Sequence, residues 1–488
     1  MNQCSSKTPQ ITGRDIMEQG YPQGPLVGLA LKCSNAAIKA GMLRDTALGV
    51  AKVIYEKPDH HIDNPYFGDL ARKLVSQRFV PDVPKYEFKD KPLTIFGQEM
   101  IDENTIEQMK TAARIPVAVR GVICADGHLG YGLPIGGVLA CRNAVIPFGV
   151  GVDIGCRMRL SILPIKSLED KWKKQETFED GFVKAIDKHT LFGAGQDWTR
   201  SGRRNHPVMD EDWSIPEKVK QGLKDIAWKQ LGSSGSGNHF CDVGEIVFEQ
   251  ELKVGEKIVS PGTYLAIMTH SGSRGAGATI ASYYSKMAEK IHKYLPAEYK
   301  KLAWLDMNAE GAEYWDAMNL MLRYAAANHE VIHHSIMKFL GIEPIAEIEN
   351  HHNFAQKEMV NGEELIVHRK GATPAGLGVL GIIPGSMATP AYLVSGKGNE
   401  ASLCSASHGA GRLMSRTKTK EKYQGQWSSI QDMLKHKRVR LLSAGLDEVP
   451  GAYKNLEEVM ARQVDLVDIK AVFHPRIVKM SDDGTNED

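Results

Sequence analysis

The chain has no apolar run approaching the roughly 20 residues that a membrane-spanning helix requires, which excludes a helical membrane protein. Its opening residues, MNQCSSKTPQITGRD, hold no apolar stretch, so no secretory leader is expected there. Cysteine is sparse, seven in 488 residues, odd in number and widely spaced. That is no disulfide framework, and it points to free thiols or metal thiolates in a reducing cytoplasm. An excess of one charge is missing too. The formal net charge is +1, so a polyanionic partner has to be held by a local basic patch. Candidate patches are Arg200, Arg203 and Arg204; Arg412, Arg416, Lys418, Lys420 and Lys422; and Lys435, Lys437, Arg438 and Arg440. Internal repeats and low-complexity tracts are absent, and only the acidic end SDDGTNED (481–488) is expected to be disordered.

What remains is an ordinary globular composition, 42% hydrophobic and 24% charged, long enough for two to four domains or one large catalytic core with additions. Residues 1–95 read as a mostly helical N-terminal extension, with the Pro-containing stretch Lys57–Tyr86 as a connector. From Thr94 the pattern changes. TIFG and PVAVRGVICAD read as strands and TIEQMKTAAR as a helix. Further helices are expected over Pro216–Leu231, Ala276–Tyr294 and Gly311–Leu340, and TYLAIMTH, EELIVHRKG and AYLVSG read as strands. This interleaving predicts an α/β (α+β) core over 96–480.

Within that core lie short polar words set among small residues: DGHLGYG (from Asp126), GVDIGCR (from Gly151), GSGNHF (from Gly235), THSGSRG (from Thr269), HHNF (from His351) and SASHGAGR (from Ser405). They fall at strand ends and loops, where active sites usually lie. Asp153 and Cys156 can be aimed at one ion by a tight turn. Together with His239, His270 and His352 they form a carboxylate, thiolate and imidazole set suited to a transition metal such as Zn, Mn, Fe or Co. Five ligands are too many for one open ion and about enough for two ions sharing the thiolate, an arrangement suited to phosphoryl transfer. In SASHGAGR, neutral His408 is a competent nucleophile toward phosphorus. Gly409, Ala410 and Gly411 can offer backbone N–H groups to phosphate, and Arg412 can neutralise charge. A competing word is HEVIH, His329 to His333, which matches the H-E-x-x-H pattern of zinc peptidases and would make the chain a zinc-dependent hydrolase.

Taken together, DGHLGYGLPIGGVLA, GVDIGCRMRL, LGSSGSGNHF, HSGSRG, VHRKGAT and SHGAGR resemble the words of the RtcB family of RNA ligases, in that family's order, from about Thr94 to Lys479. The resemblance implies an RtcB-like core around a central site for two Mn²⁺ ions, one on Asp153, Cys156 and His239, the other on Cys156, His270 and His352. It implies GTP as cofactor, with His408 taking up GMP. Asn238, Asp242, Asn353, Ser386, Tyr453 and Lys479 are implied as nucleotide contacts, and Asp126 as a further site position. Arg200, Arg203, Arg204 and Arg274 are the candidates for an RNA-facing surface. The implied reaction joins RNA 3′-phosphate or 2′,3′-cyclic phosphate ends to 5′-hydroxyl ends. The implied enzyme is a cytoplasmic monomer acting on RNA, tRNA exon halves among its substrates, with an archease-like activator left open. A non-catalytic RNA-binding relative is the third reading. Asp242 is shorter than the family's usual acidic residue, Ala388 stands where glycine is frequent, and Pro374 where a basic residue is common, so these positions bear on substrate choice.

Overall fold

The computed structural model describes residues 10–78 and 85–482. From residue 483 onward the expected disordered tail lies outside the described residues. The chain divides into two compact units between Lys85 and Tyr86. The first is helical: Gly13–Glu18, Pro25–Lys39, Arg44–Glu56 and Gly68–Arg78. Thr12 and Asp15 cap the first of these reciprocally. Its core is built from Ile16, Ala30, Ala37, Ala51, Ile54 and Leu70. The stretch read as a connector therefore contains a helix. Leu70, Ala71 and Leu74 recur on one face of it and are buried, a periodicity that the neighbouring prolines obscured.

Residues 86–95 go with the second unit rather than with the extension. Phe88 stacks on Tyr299, ring centroids 3.9 Å apart, and Leu93–Ile95 pairs in parallel with Gly121–Ile123. This unit mixes helix and sheet, as expected. One five-stranded sheet runs in the order Leu93–Ile95, Ala118–His128, Ile135–Cys141, Glu363–Lys370, Asn353–Val360. A larger, eight-stranded sheet runs Ala346–His351, Arg157–Ile162, Gly262–Ser271, Phe240–Phe248, Val467–Met480, Ala391–Gly396, Leu380–Ile383, with Arg440–Ser443 added beside Val467–Met480.

The long helix Glu310–Leu340 lies against Gly262–Ser271 of the larger sheet. Side chains alternate along a strand. Thr269 therefore meets that helix through His329 and His333, while Met268 and His270 face the opposite way, into a cavity. The single helix expected over 216–231 is two, Ser214–Val219 and Leu223–Gln230: Lys220 turns extended after the first, and Gly222, with a φ of 78°, caps the start of the second. Among the described residues no helix is long and apolar enough to cross a membrane.

Candidate active site

The polar words converge on one cavity of about 970 Å³. Asp153, Cys156, His270, His352 and His408 all line it, and buried His239 stands behind them. Cys156 Sγ lies 3.5 Å from Nε2 of His239 and 3.1 Å from Nε2 of His270. Nε2 of His270 is 3.0 Å from Nε2 of His352, and Nε2 of His239 is 3.2 Å from Oδ2 of Asp153. Two ligand triads result, Asp153–Cys156–His239 and Cys156–His270–His352, sharing the one sulfur.

The hydrogen bonds around these groups fix which atoms point inward. Nδ1 of His239 donates to the carbonyl of Ser234 at 2.9 Å, and Nδ1 of His270 to that of Asn238 at 3.2 Å. Each bond leaves the Nε2 lone pair directed at the sulfur. Burial pushes the His270 imidazole down to about 3 and His352 well below its ordinary value, so both rings are neutral at pH 7. Lone pairs, a sulfur and a carboxylate that crowd within bonding reach of one another repel unless cations lie among them. The donor set thus fits two transition-metal ions bridged by a thiolate.

His408 lies beside this cluster, its ring centroid 5.0 Å from that of His352. Its Nδ1 donates to Oδ2 of Asp126 at 2.7 Å, which leaves the Nε2 lone pair free to attack. Asp126 is fully buried. Burial raises its carboxyl, but the hydrogen bond from His408 works against this, and it stays below its ordinary value. The turn around His408 can close only with glycine at 411, whose φ is 76° and where a Cβ would strike the Asp126 carbonyl.

The implied nucleotide contacts divide. Asn238, Asp242, Asn353, Ser386, Gly409, Ala410, Gly411 and Tyr453 line the cavity. Burial drives the Asp242 carboxyl well above its ordinary value. Lys479 does not line it. On Val467–Met480, Val478 is paired with Asp242 and Lys479 with Cys241. The alternation turns Lys479 to the far face, where Nζ meets Asp187 at 2.8 Å.

Three further expectations need correction. Gly409 N–H is directed at Asp126 (3.3 Å) rather than at an incoming phosphate. Arg412 reaches the cavity wall, but its N–H groups go to Met414 O, Glu448, Tyr453 Oη, Thr419 and Asp447 O, so it braces that wall. Arg274 is fully buried, bonded to Ser233 beside His239, and belongs to no RNA-facing surface. Arg200 is exposed, while Arg203 and Arg204 sit over the Trp228 and Trp198 rings. Of the three departures only Asp242 lines the site. Pro374 lines a separate cavity of about 380 Å³, and Ala388 packs in a small apolar cluster.

HEVIH is structural. His329 bonds Thr269 Oγ1 at 2.7 Å and Ser271 O at 2.9 Å; His333 bonds Ser161 Oγ at 2.7 Å and Thr269 Oγ1 at 2.8 Å. The two rings do share a helix face, as their spacing predicted, but every ring nitrogen is engaged, while Glu330 points outward toward His206. No zinc peptidase centre can be assembled from them.

Two lysines escaped the sequence reading. Lys370, buried and pushed down to about 7 by that burial, donates to the carbonyls of Tyr131 and Phe148 at the cavity wall. Lys454 donates to the carbonyls of Ala125 and Gly127, on either side of Asp126. The first lay in view in VHRKGAT; the second had no signal beyond its place beside Tyr453.

Comparison with known proteins gives the following. The family model described as tRNA-splicing ligase RtcB matches residues 108–480. The RNA-splicing ligase RtcB of Escherichia coli (strain K12) is 33% identical over 401 residues, 76% of this chain and 92% of that protein. The tRNA-splicing ligase RtcB of Thermococcus kodakarensis is 30% identical over 459 residues, 78% and 92%. That of Nanoarchaeum equitans is 30% identical over 472 residues, 82% and 97%.

Proposed function

Since the chain belongs to the tRNA-splicing ligase RtcB family, we propose that it is an RNA ligase. In this reading it joins RNA 3′-phosphate or 2′,3′-cyclic phosphate ends to 5′-hydroxyl ends, consuming GTP and using two manganese ions. The observation that carries the reading is the position of His408. Its Nδ1 is tied to Asp126, and its ring lies against His352 of the two triads that share Cys156.

Asp153, Cys156 and His239 would hold one ion, and Cys156, His270 and His352 the other. Bound there, the pair supplies Lewis acidity that offsets the charge gathering on phosphate oxygens. The chain's own part begins with Asp126, which keeps the Nδ1 proton in place so that Nε2 of His408 is the nucleophile. Nε2 bonds to the α-phosphorus of GTP and the bond to pyrophosphate breaks. An oxygen of the RNA 3′-phosphate then attacks the same phosphorus, the P–N bond breaks, and His408 returns to its neutral form. The 5′-hydroxyl attacks the activated 3′-phosphate and GMP leaves. Asp242, at the cavity wall, has its carboxyl to offer a nucleobase edge. The reading extends to a cytoplasmic monomer with tRNA exon halves among its substrates.

The test is incubation with α-labelled GTP and Mn²⁺. Acid-labile, alkali-stable label on the protein is expected, absent in His408→Ala, followed by joining of cleaved tRNA halves bearing cyclic-phosphate and hydroxyl ends. Label that survives His408→Ala would refute the assignment.

A further inference from the structure

The turn between the strands Ala118–His128 and Ile135–Cys141 leaves two large apolar side chains in solvent, Leu129 at 54% and Tyr131 at 75% exposure. Both line the His408 cavity. The turn is not loose. The side-chain amide of Gln108 donates to the carbonyls of Gly130 (2.6 Å) and Gly132 (3.0 Å) and accepts from Gly130 N–H (3.1 Å). From the other side, Nζ of Lys370 donates to the carbonyl of Tyr131. The backbone under the two side chains is thus held from two elements while the side chains themselves stay in water. Leu413, five residues after His408, is a third exposed apolar residue lining the same cavity.

Folding alone gains nothing from an apolar side chain kept in water on a clamped turn. A rigid, exposed aromatic ring at the rim of a cavity that handles nucleic-acid ends has a chemical use, because every base presents a π-face to stack on. We propose that Leu129 and Tyr131 form a stacking step at the cavity mouth, on which the terminal base of a single-stranded RNA end rests while its phosphate or hydroxyl reaches His408. The inference depends on the RNA-ligase reading of the cavity. It adds to that reading a preference for an unpaired terminal nucleotide: a base still paired in a blunt duplex cannot swing onto the step without breaking its pair.

The step is tested with short RNAs carrying 2-aminopurine at the terminal nucleotide, titrated with the full chain. Binding to the wild type and to Tyr131→Phe is expected to quench the fluorescence, and Tyr131→Ala to leave it unquenched. Tyr131→Ala should weaken binding about tenfold, and this loss should vanish when the terminal nucleotide is abasic. Unchanged quenching in Tyr131→Ala, or an equal loss of affinity with and without the terminal base, overturns the proposal. The two failures are separable: a chain that takes GTP-derived label on His408 but shows no Tyr131-dependent quenching loses the stacking step alone, whereas a chain that takes no label loses the ligase reading.

Discussion

Oδ2 of Asp126 accepts three hydrogen bonds from one turn: from Nδ1 of His408 at 2.7 Å, from the His408 backbone N–H at 3.1 Å and from Gly409 N–H at 3.3 Å. One buried carboxylate oxygen therefore fixes the backbone of the His408 turn and the tautomer of its imidazole at once. Asp126→Asn tests the second role against the first. An amide oxygen can still accept from the two backbone groups, but the amide cannot replace the charge that stabilises a positive ring. The expected outcome is a folded protein whose self-guanylylation rate falls on the order of 10³-fold. The readout is label incorporation from α-labelled GTP, with circular dichroism as the check on folding. A loss of less than about tenfold would mean that the carboxylate serves the backbone alone.

The shared sulfur makes a second, asymmetric prediction. Cys156 belongs to both triads and Asp153 to only one. Equilibrium dialysis against Mn²⁺ should find about two ions per wild-type chain, about one for Asp153→Ala and none held tightly by Cys156→Ala. Chelation should stop labelling and ligation together, and Mn²⁺ should restore both. Equal losses in the two variants would contradict a bridging thiolate.

Much of this site was legible because its ligands stand at strand ends in short words whose order along the chain carries the resemblance. Asp153, Cys156, His239, His270, His352 and His408 could be named without coordinates. Orientation could not. Whether Lys479 faces the cavity depends on the strand's register against Asp242, and a shift of one residue reverses the answer. Whether Arg412 is available to phosphate depends on Glu448, Asp447 and Tyr453, brought to it by loops that carry no periodic signal. HEVIH had the right helical spacing, but the hydroxyls of Ser161 and Thr269 that occupy its rings lie 60 or more positions away, on other strands. Spacing reports which side chains share a face, and says nothing of what that face meets.

Those two cations, Arg412 and Lys479, separate by mutation. Arg412 sits in a buried network with Glu448, whose carboxyl burial raises. Arg412→Ala should leave buried acceptors unpaired and cost about 3–5 kcal/mol, seen as a large fall in melting temperature. Lys479→Ala breaks only an ion pair with half-exposed Asp187, worth about 0–1 kcal/mol. Label incorporation by Lys479→Ala should stay within about twofold of wild type. A Lys479→Ala variant that folds but no longer takes label would show that the lysine is turned toward the nucleotide during the reaction.

A last prediction concerns acid, and His368 carries it. The ring is fully buried; its Nδ1 donates to the carbonyl of Leu139 at 3.1 Å while Nε2 accepts from Ile146 N–H at 2.9 Å. Only the neutral ring can do both. Burial accordingly pushes it down to about 4, against about 6.5 in the unfolded chain. Above pH 6.5 neither state is protonated and the group has no effect on stability. As pH falls from 6.5 toward 4 the unfolded chain takes up the proton first, so stability is lost across that window and levels off below it. By pH 5 the loss from this ring amounts to about 2 kcal/mol. His128, also pushed down to about 4 by burial, steepens the same window. Urea unfolding at pH 7, 6 and 5 should show the decline, followed by tryptophan fluorescence, since all seven tryptophans lie beyond residue 85 and report the second unit. His368→Gln should be less stable at pH 7 but lose less on acidification, because the group that binds the proton is gone. An unaltered pH slope in that variant would place the acid sensitivity on other histidines.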